Sequence, residues 1–169
     1  ELVASDELWF GTNQGIAYAK GNQWIQFEPE DGLGFDTPSC LLELQDGRLW
    51  LGAGSSIYEL RSNRWESVYA TFEKINDMLE ARDGTVWIAT NNGVHRYFQE
   101  TWLSHDTQEG LPSNTVYKLN EDAAGVIRAA TTRGISQYNP RSDRDAPITY
   151  INVDEVDRNR GIRSGSVLH

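Results

Sequence analysis

Carboxamide and guanidinium side chains recur in this chain where the backbone is expected to turn: Asn13 and Gln14, Asn91 and Asn92, Asn114, and Arg133. A carboxamide offers paired donors and acceptors, and a guanidinium offers a forked donor. Phe35 adds a flat apolar face beside Asp36. That is the mixture needed to hold a sugar or a small carboxylate. The asparagines beside Gly15 and Gly93 also suit tight turns, which is a purely structural reading of the same residues.

Other chemistry is thinly represented. His95 alternates with Val94 and Tyr97, and His105 stands beside Asp106, with no His and Cys spacing of a zinc site. Glu28, Glu30, Asp31 and Asp36 form an acidic stretch, and Asp157 to Gly161 a second charged one. Neither has the full oxygen-ligand pattern of a calcium loop, so solvated loops are the expectation. Cys40 is the single cysteine, which excludes an internal disulfide, and its place beside Leu41 and Leu42 reads as core. No nucleophile signature and no glycine-rich phosphate cradle is present. The expectation is a chain without catalytic residues, metal or cofactor.

The formal net charge of −10 over 169 residues argues against nucleic acid, which needs clustered Lys and Arg, and against anionic membrane surfaces. With 38% apolar and 24% charged residues the chain can bury a core. It holds no signal peptide and no apolar run near the roughly 18 residues of a membrane span. It opens with Glu1-Leu2-Val3-Ala4 running directly into a strand pattern, so it reads as an excerpt of a longer protein.

The elements that must position these side chains are announced by tryptophan. Trp9 and Trp24, Trp50 and Trp65, and Trp87 and Trp102 are pairs 15 residues apart, recurring after 41 and then 37 residues. A fourth unit, Val126 to Pro140, keeps the phase but has Arg128 at the first tryptophan position and Asp143 at the second. A period near 40 residues marks a repeat architecture. Within each unit the apolar period is two, the strand period. One complete unit reads as strands at Ser39 to Leu44, Arg48 to Gly52, Ile57 to Leu60 and Trp65 to Tyr69. Asp46-Gly47 and Asp83-Gly84 supply turns between first and second strands, where glycine takes positive φ at little cost.

Four-stranded units of this length repeating radially describe an all-β fold of propeller blades, about four here and expected to be part of a larger propeller. All six tryptophans are expected in the core, with Trp9, Trp50 and Trp87 buried between blades. The strand-four-to-one loops and the strand-two-to-three loops share one end, which makes Asn13, Gln14, Phe35, Asp36, Asn91, Asn92, Asn114 and Arg133 a polar mouth. Residues 1 to 145 are assigned to blades, the first incomplete, and 146 to 169 to a linker with a possible first strand of a following domain. The alternation of Ile148 to Val153 suits a strand pairing with a sheet edge, and residues beyond Arg158 are expected to be extended.

Glu109-Gly-Leu-Pro-Ser-Asn114, the Asp-x-x-Gly turn at Asp122 to Gly125, and Ala130-Thr-Thr-Arg-Gly-Ile-Ser-Gln-Tyr138 closely resemble the two-component regulator propeller repeat. Asp83 to Gly93 and Trp9 to Gly15 are similar to it as well, so the resemblance covers residues 6 to 140. It implies an extracytoplasmic, ligand-sensing propeller of a bacterial membrane-bound regulator, periplasmic or extracellular, and non-catalytic in itself. The parent would carry a histidine kinase or diguanylate cyclase outside this chain. Asp145 to Val153 resembles the start of the immunoglobulin-like three-tyrosine domain that often follows. The expected partners are a carbohydrate or organic acid, neighbouring blades or a second chain, and a dimer, with no nucleic acid. Departures are Arg128 for tryptophan, and Ala53 with Ser55-Ser56 for the Thr and Gly-Gly of the second unit. The second-strand motif also resembles propeller lyases of the streptogramin type, which would require a histidine and acids gathered at the mouth. A passive interaction scaffold is the remaining alternative.

Overall fold

The computed structural model describes residues 2–4, 7–12, 15–33, 37–70, 73–139 and 149–151. They form four sheets, each of four antiparallel strands in sequence order, the arrangement of propeller blades. Blade 1 consists of β1 (Leu2–Ala4), β2 (Glu7–Thr12), β3 (Gly15–Lys20) and β4 (Gln23–Phe27). Blade 2 consists of β5 (Pro38–Glu43), β6 (Leu49–Ala53), β7 (Ser56–Arg61) and β8 (Arg64–Tyr69). Blade 3 is β9 (Ile75–Glu80), β10 (Val86–Thr90), β11 (Gly93–Phe98) and β12 (Thr101–His105). Blade 4 is β13 (Val116–Glu121), β14 (Ile127–Thr131), β15 (Gly134–Tyr138) and β16 (Thr149–Ile151).

Alternation sends every second residue of a strand to the other face, so each blade offers one face to the blade before it and one to the blade after it. Three buried clusters result. Trp9, Ile16 and Phe27 of blade 1 meet Leu49, Leu51 and Trp65 of blade 2. Trp50 and Ile57 of blade 2 meet Ile75, Val86 and Ile88 of blade 3. Trp87, Ala89 and Val94 of blade 3 meet Val116, Leu119, Ile127 and Ala129 of blade 4. Trp9, Trp50 and Trp87 are 3%, 1% and 2% exposed, so the first tryptophan of each pair is the indole that its blade presents forward. Truncating such a side chain typically costs ~3–5 kcal/mol.

The second tryptophan points backward, and the expectation that all six lie in the core needs correcting there. Trp65 is 1% exposed and meets the Trp9 ring edge-on at 6.2 Å; Trp102 meets Tyr69 of the preceding blade at 4.7 Å. Trp24 is 68% exposed. It stands on the face of blade 1 that turns away from blade 2, against Phe10 at 5.2 Å, where the described residues include no preceding blade to cover it. At the other end of the series Arg128 occupies the forward tryptophan position of blade 4 and pairs with Asp122 at 2.7 Å. Among the described residues no buried cluster joins blade 4 to blade 1, so the blades pack as an open series.

Turn geometry divides by type. Gly47 and Gly84, at φ 84° and 80°, supply the positive φ of the turns between first and second strands. The turns between third and fourth strands of blades 2 and 3 place Ser62, Asn63, Gln99 and Glu100 in the left-handed region without glycine, whereas that of blade 1 uses Gly21, at φ 58°. The boundary expected at 145 lies outside the described residues, as do residues 152–169. Thr149–Ile151 pairs with β15 as the outer strand of blade 4.

Candidate functional site

The polar mouth is built where the loops between second and third strands meet the loops that lead from one blade to the next. Asp106 begins the loop from blade 3 to blade 4 with a capping box: its Oδ1 accepts from Gln108 N at 2.6 Å, and Glu109 Oε2 accepts from Asp106 N at 3.0 Å. Gly110, at φ 102°, turns the chain so that Leu111 enters the core between blades 3 and 4. The chain then returns through Pro112 and Ser113 to Asn114 at the mouth.

Asn114 binds three segments together. Its carbonyl oxygen accepts from Gly93 N at 2.6 Å, its Oδ1 accepts from Thr107 N at 2.8 Å, and its Nδ2 donates to Asn92 Oδ1 at 3.3 Å. Gly93 is required there twice over, by φ 104° and by His105 O, which a Cβ would strike. Asn76, at the start of β9, donates through Nδ2 to Asn91 Oδ1 at 2.9 Å and to Val116 O at 2.7 Å. Thr90 Oγ1 fixes the loop between β10 and β11, donating to Gly93 O and accepting from Asn92 N, each at 3.0 Å. Thr12 and Thr131 make the same clasp to Gly15 O and Gly134 O, at 3.1 and 2.8 Å.

Of the residues expected from sequence, the structure therefore brings Asn91, Asn92 and Asn114 into one carboxamide cluster across blades 3 and 4. Arg133 is on the adjoining loop, held through its backbone N–H to Thr131 Oγ1 at 3.2 Å, and its guanidinium makes no hydrogen bond to the cluster. Asn13, Gln14, Phe35 and Asp36 lie outside the described residues. Asn76 is the member that no turn motif announces, since its partners are 15 and 40 residues away. The Nδ2 groups of Asn91 and Asn92, both on exposed residues, have no hydrogen-bond acceptor among the described residues. An arrangement with free amide donors above a braced loop can hold hydroxyl or carboxylate oxygens.

His95, mid-strand in β11, has Nδ1 2.8 Å from Ser104 Oγ, and both ring nitrogens of His105 are buried without a hydrogen-bond partner. Burial lowers the pKa of both, and nearby positive charge lowers each further, that of Arg96 for His105 and that of His105 once protonated for His95, so the neutral form of both rings is favoured. In the acidic stretch Asp31 Oδ2 accepts from Glu28 N at 2.8 Å, a loop-bracing role. Among the described residues no group of three or more His, Cys, Asp or Glu is placed to hold a metal ion, and no helix is long and apolar enough to cross a membrane.

The strand pair and loop that deliver Asn76, Asn91 and Asn92 coincide with a known repeat. Residues 71–92 match the two component regulator propeller. The solved structures similar to this chain include extracellular domains of two proteins assigned as hybrid two component systems of B. thetaiotaomicron. One shares 19% identity over 96% of this chain and 23% of its own, with a TM-score of 0.77. The second shares 24% identity over 89% of this chain and 21% of its own, at 0.74. A virginiamycin B lyase from Staphylococcus aureus shares 13% identity over 89% of this chain and 54% of its own, at 0.70. At these identities the likeness is one of fold, and the chain spans less than a quarter of the two B. thetaiotaomicron domains and about half of the lyase. No curated protein matches the chain. The chain is thus a series of propeller blades of the fold found in those extracellular domains, and one stretch of it, residues 71–92, matches the two component regulator propeller.

Proposed function

We propose that this chain is the ligand-sensing propeller region of a bacterial two-component or related signalling protein, lying outside the cytoplasmic membrane and non-catalytic in itself. The carboxamide cluster carries the reading. The free amides of Asn91 and Asn92 belong to blade 3, and they are braced by Asn76 of the same blade and by Asn114 of the loop into blade 4, so a ligand held there would load a loop tied to both blades. Binding there would bias how the blades pack, the kind of differential contact a sensor needs. A carbohydrate or a small organic acid has the acceptors that these donors and Arg133 would satisfy. The kinase or cyclase output would belong to the parent protein.

The exposed Phe10 and Trp24 face is the counterpart of the faces that Leu51 with Trp65 and Ile88 with Trp102 offer to a preceding blade. A further blade or a second chain, giving a dimer, is its proposed partner. Sedimentation of the wild type and of a Phe10→Ser, Trp24→Ser variant tests this: association that the double variant retains would defeat it. The rival lyase reading draws on the fold shared with virginiamycin B lyase. It is disfavoured by His95 standing mid-strand and by both ring nitrogens of His105 being buried. Incubating the chain with the sugars and acids of a thermal-shift screen distinguishes the readings: a Tm increase without product supports sensing, and turnover refutes it.

A further inference from the structure

Asn92-Gly93 is the one Asn-Gly step in the chain. An asparagine in front of glycine carries a reaction of its own, because no Cβ crowds the glycine nitrogen and that nitrogen can attack the asparagine Cγ. An N–C bond forms and closes a succinimide ring, the bond from Cγ to Nδ2 breaks, and ammonia leaves with the proton of the glycine nitrogen. Water then opens the ring at either carbonyl. The product is aspartate, or an isoaspartate whose main chain runs through the former side chain and is one methylene longer.

The folded loop presents both reactants and restrains both. Asn92 is exposed, in the turn that joins Thr90 to its strand partner Gly93. The attacking nitrogen, Gly93 N, donates to Asn114 O at 2.6 Å, and the carbon it would attack is held through Asn92 Oδ1, which accepts from Asn114 Nδ2 at 3.3 Å. One residue therefore grips both ends of the bond that would form. Asn114 is itself fixed through Oδ1, which accepts from Thr107 N at 2.8 Å, and Thr90 Oγ1 adds a restraint by accepting from Asn92 N at 3.0 Å. A nitrogen engaged as a donor has to leave its acceptor before it can turn on the side chain, so the reaction runs through a local opening of this loop. The other asparagines of the cluster lack the chemistry: Asn76, Asn91 and Asn114 are followed by Asp77, Asn92 and Thr115, whose side chains crowd the attacking nitrogen.

We propose that Asn92 is a self-modification site at the mouth with Asn114 as its guard: the closed loop keeps the asparagine intact, and each opening allows conversion to aspartate or isoaspartate. The modification exchanges a free amide donor for a carboxylate in a chain already at net charge −10. The isoaspartate form also lengthens the turn that sets Thr90 opposite Gly93. The chemistry belongs to the loop itself and does not depend on what the mouth binds.

The test is to incubate the chain at mildly alkaline pH, folded and in urea, and to map aspartate and isoaspartate at each asparagine by peptide mass spectrometry. Product should collect at residue 92 ahead of 76, 91 and 114, and more slowly in the folded chain than in the unfolded one. Asn114→Ala removes the side-chain bonds to Thr107 N and Asn92 Oδ1, so it should speed the reaction of the folded chain by about fivefold or more as the opened loop gains population. If that variant does not fold, urea below the unfolding transition opens the wild-type loop instead: hydrogen exchange of the Gly93 amide and appearance of product should then rise together. Residue 92 left unmodified, equal rates in the folded and unfolded chains, or a rate that rises with neither Asn114→Ala nor Gly93 exchange would each overturn the proposal.

Discussion

Replacing Glu59 with glutamine should destabilise the protein by about 1–2 kcal/mol at neutral pH, and the loss should fade in acid. Glu59 is 5% exposed and accepts from Trp50 Nε1 at 2.8 Å, from Arg61 Nε at 2.7 Å and from Arg48 Nη1 at 3.5 Å. A hydrogen bond to a charged group contributes ~1.5–3 kcal/mol net. Both guanidiniums are about half exposed, so solvent limits each ion pair to ~0–1 kcal/mol. A glutamine carbonyl can still accept from Trp50, which leaves the difference stated. Burial pushes the Glu59 carboxyl up, but the Trp50 N–H and then the Arg61 and Arg48 guanidiniums outweigh it and hold the pKa below the usual value. The unfolded chain therefore takes up this proton first, near pH ~4.3, and the stability it carries is lost as pH falls from there through the folded value. Urea unfolding followed by tryptophan fluorescence, at neutral pH and again below pH ~4, reads both quantities. A glutamine variant as stable as wild type at neutral pH, or a difference that grows on acidification, would refute the reasoning.

Trp87→Ala should cost ~3–5 kcal/mol in the same assay, whereas Trp24→Ala should stay within ~0.5 kcal/mol, because only the first side chain is enclosed by a neighbouring blade; equal costs would contradict the packing scheme. Burial pushes the Cys40 thiol up to about 12, so at neutral pH a thiol reagent should label the native protein far more slowly than the unfolded chain, because almost no thiolate is present; rapid stoichiometric labelling at neutral pH would contradict this. His95 and His105 have folded pKa values below their unfolded ones, so stability should be full above pH ~6.5 and decline as the solution is acidified below it, with a double His95→Gln, His105→Asn variant flattening the slope. Melting temperatures measured across that range decide it, and a rise on acidification would contradict the assignment.

The blades were legible because their signal is one-dimensional: an indole every 37 or 41 residues, strands of period two, and glycine at Gly47 and Gly84 where the turn demands it. The turns at Ser62-Asn63 and Gln99-Glu100 adopt the same left-handed backbone without glycine, because the strand pairs on either side impose it, and composition does not record that. The exposure of Trp24 was not legible for a related reason. It has the same spacing as Trp65, and the two differ only in whether a blade stands in front of them. At the mouth, turn chemistry pointed to Asn91, Asn92 and Asn114, and the loop from blade 2 to blade 3 brings Asn76 to the same end, but its bond to Val116 O exists only once β9 is placed beside β13.

The most direct measurement is a titration of the ¹⁵N-labelled chain with neutral oligosaccharides and small di- and tricarboxylates, observed at the side-chain amide resonances of Asn76, Asn91, Asn92 and Asn114. A sensing propeller predicts saturable shifts of these amides by at least one compound, recovered unchanged at the end of the titration. Conversion of the compound, or binding that leaves all four asparagines unmoved, would contradict it.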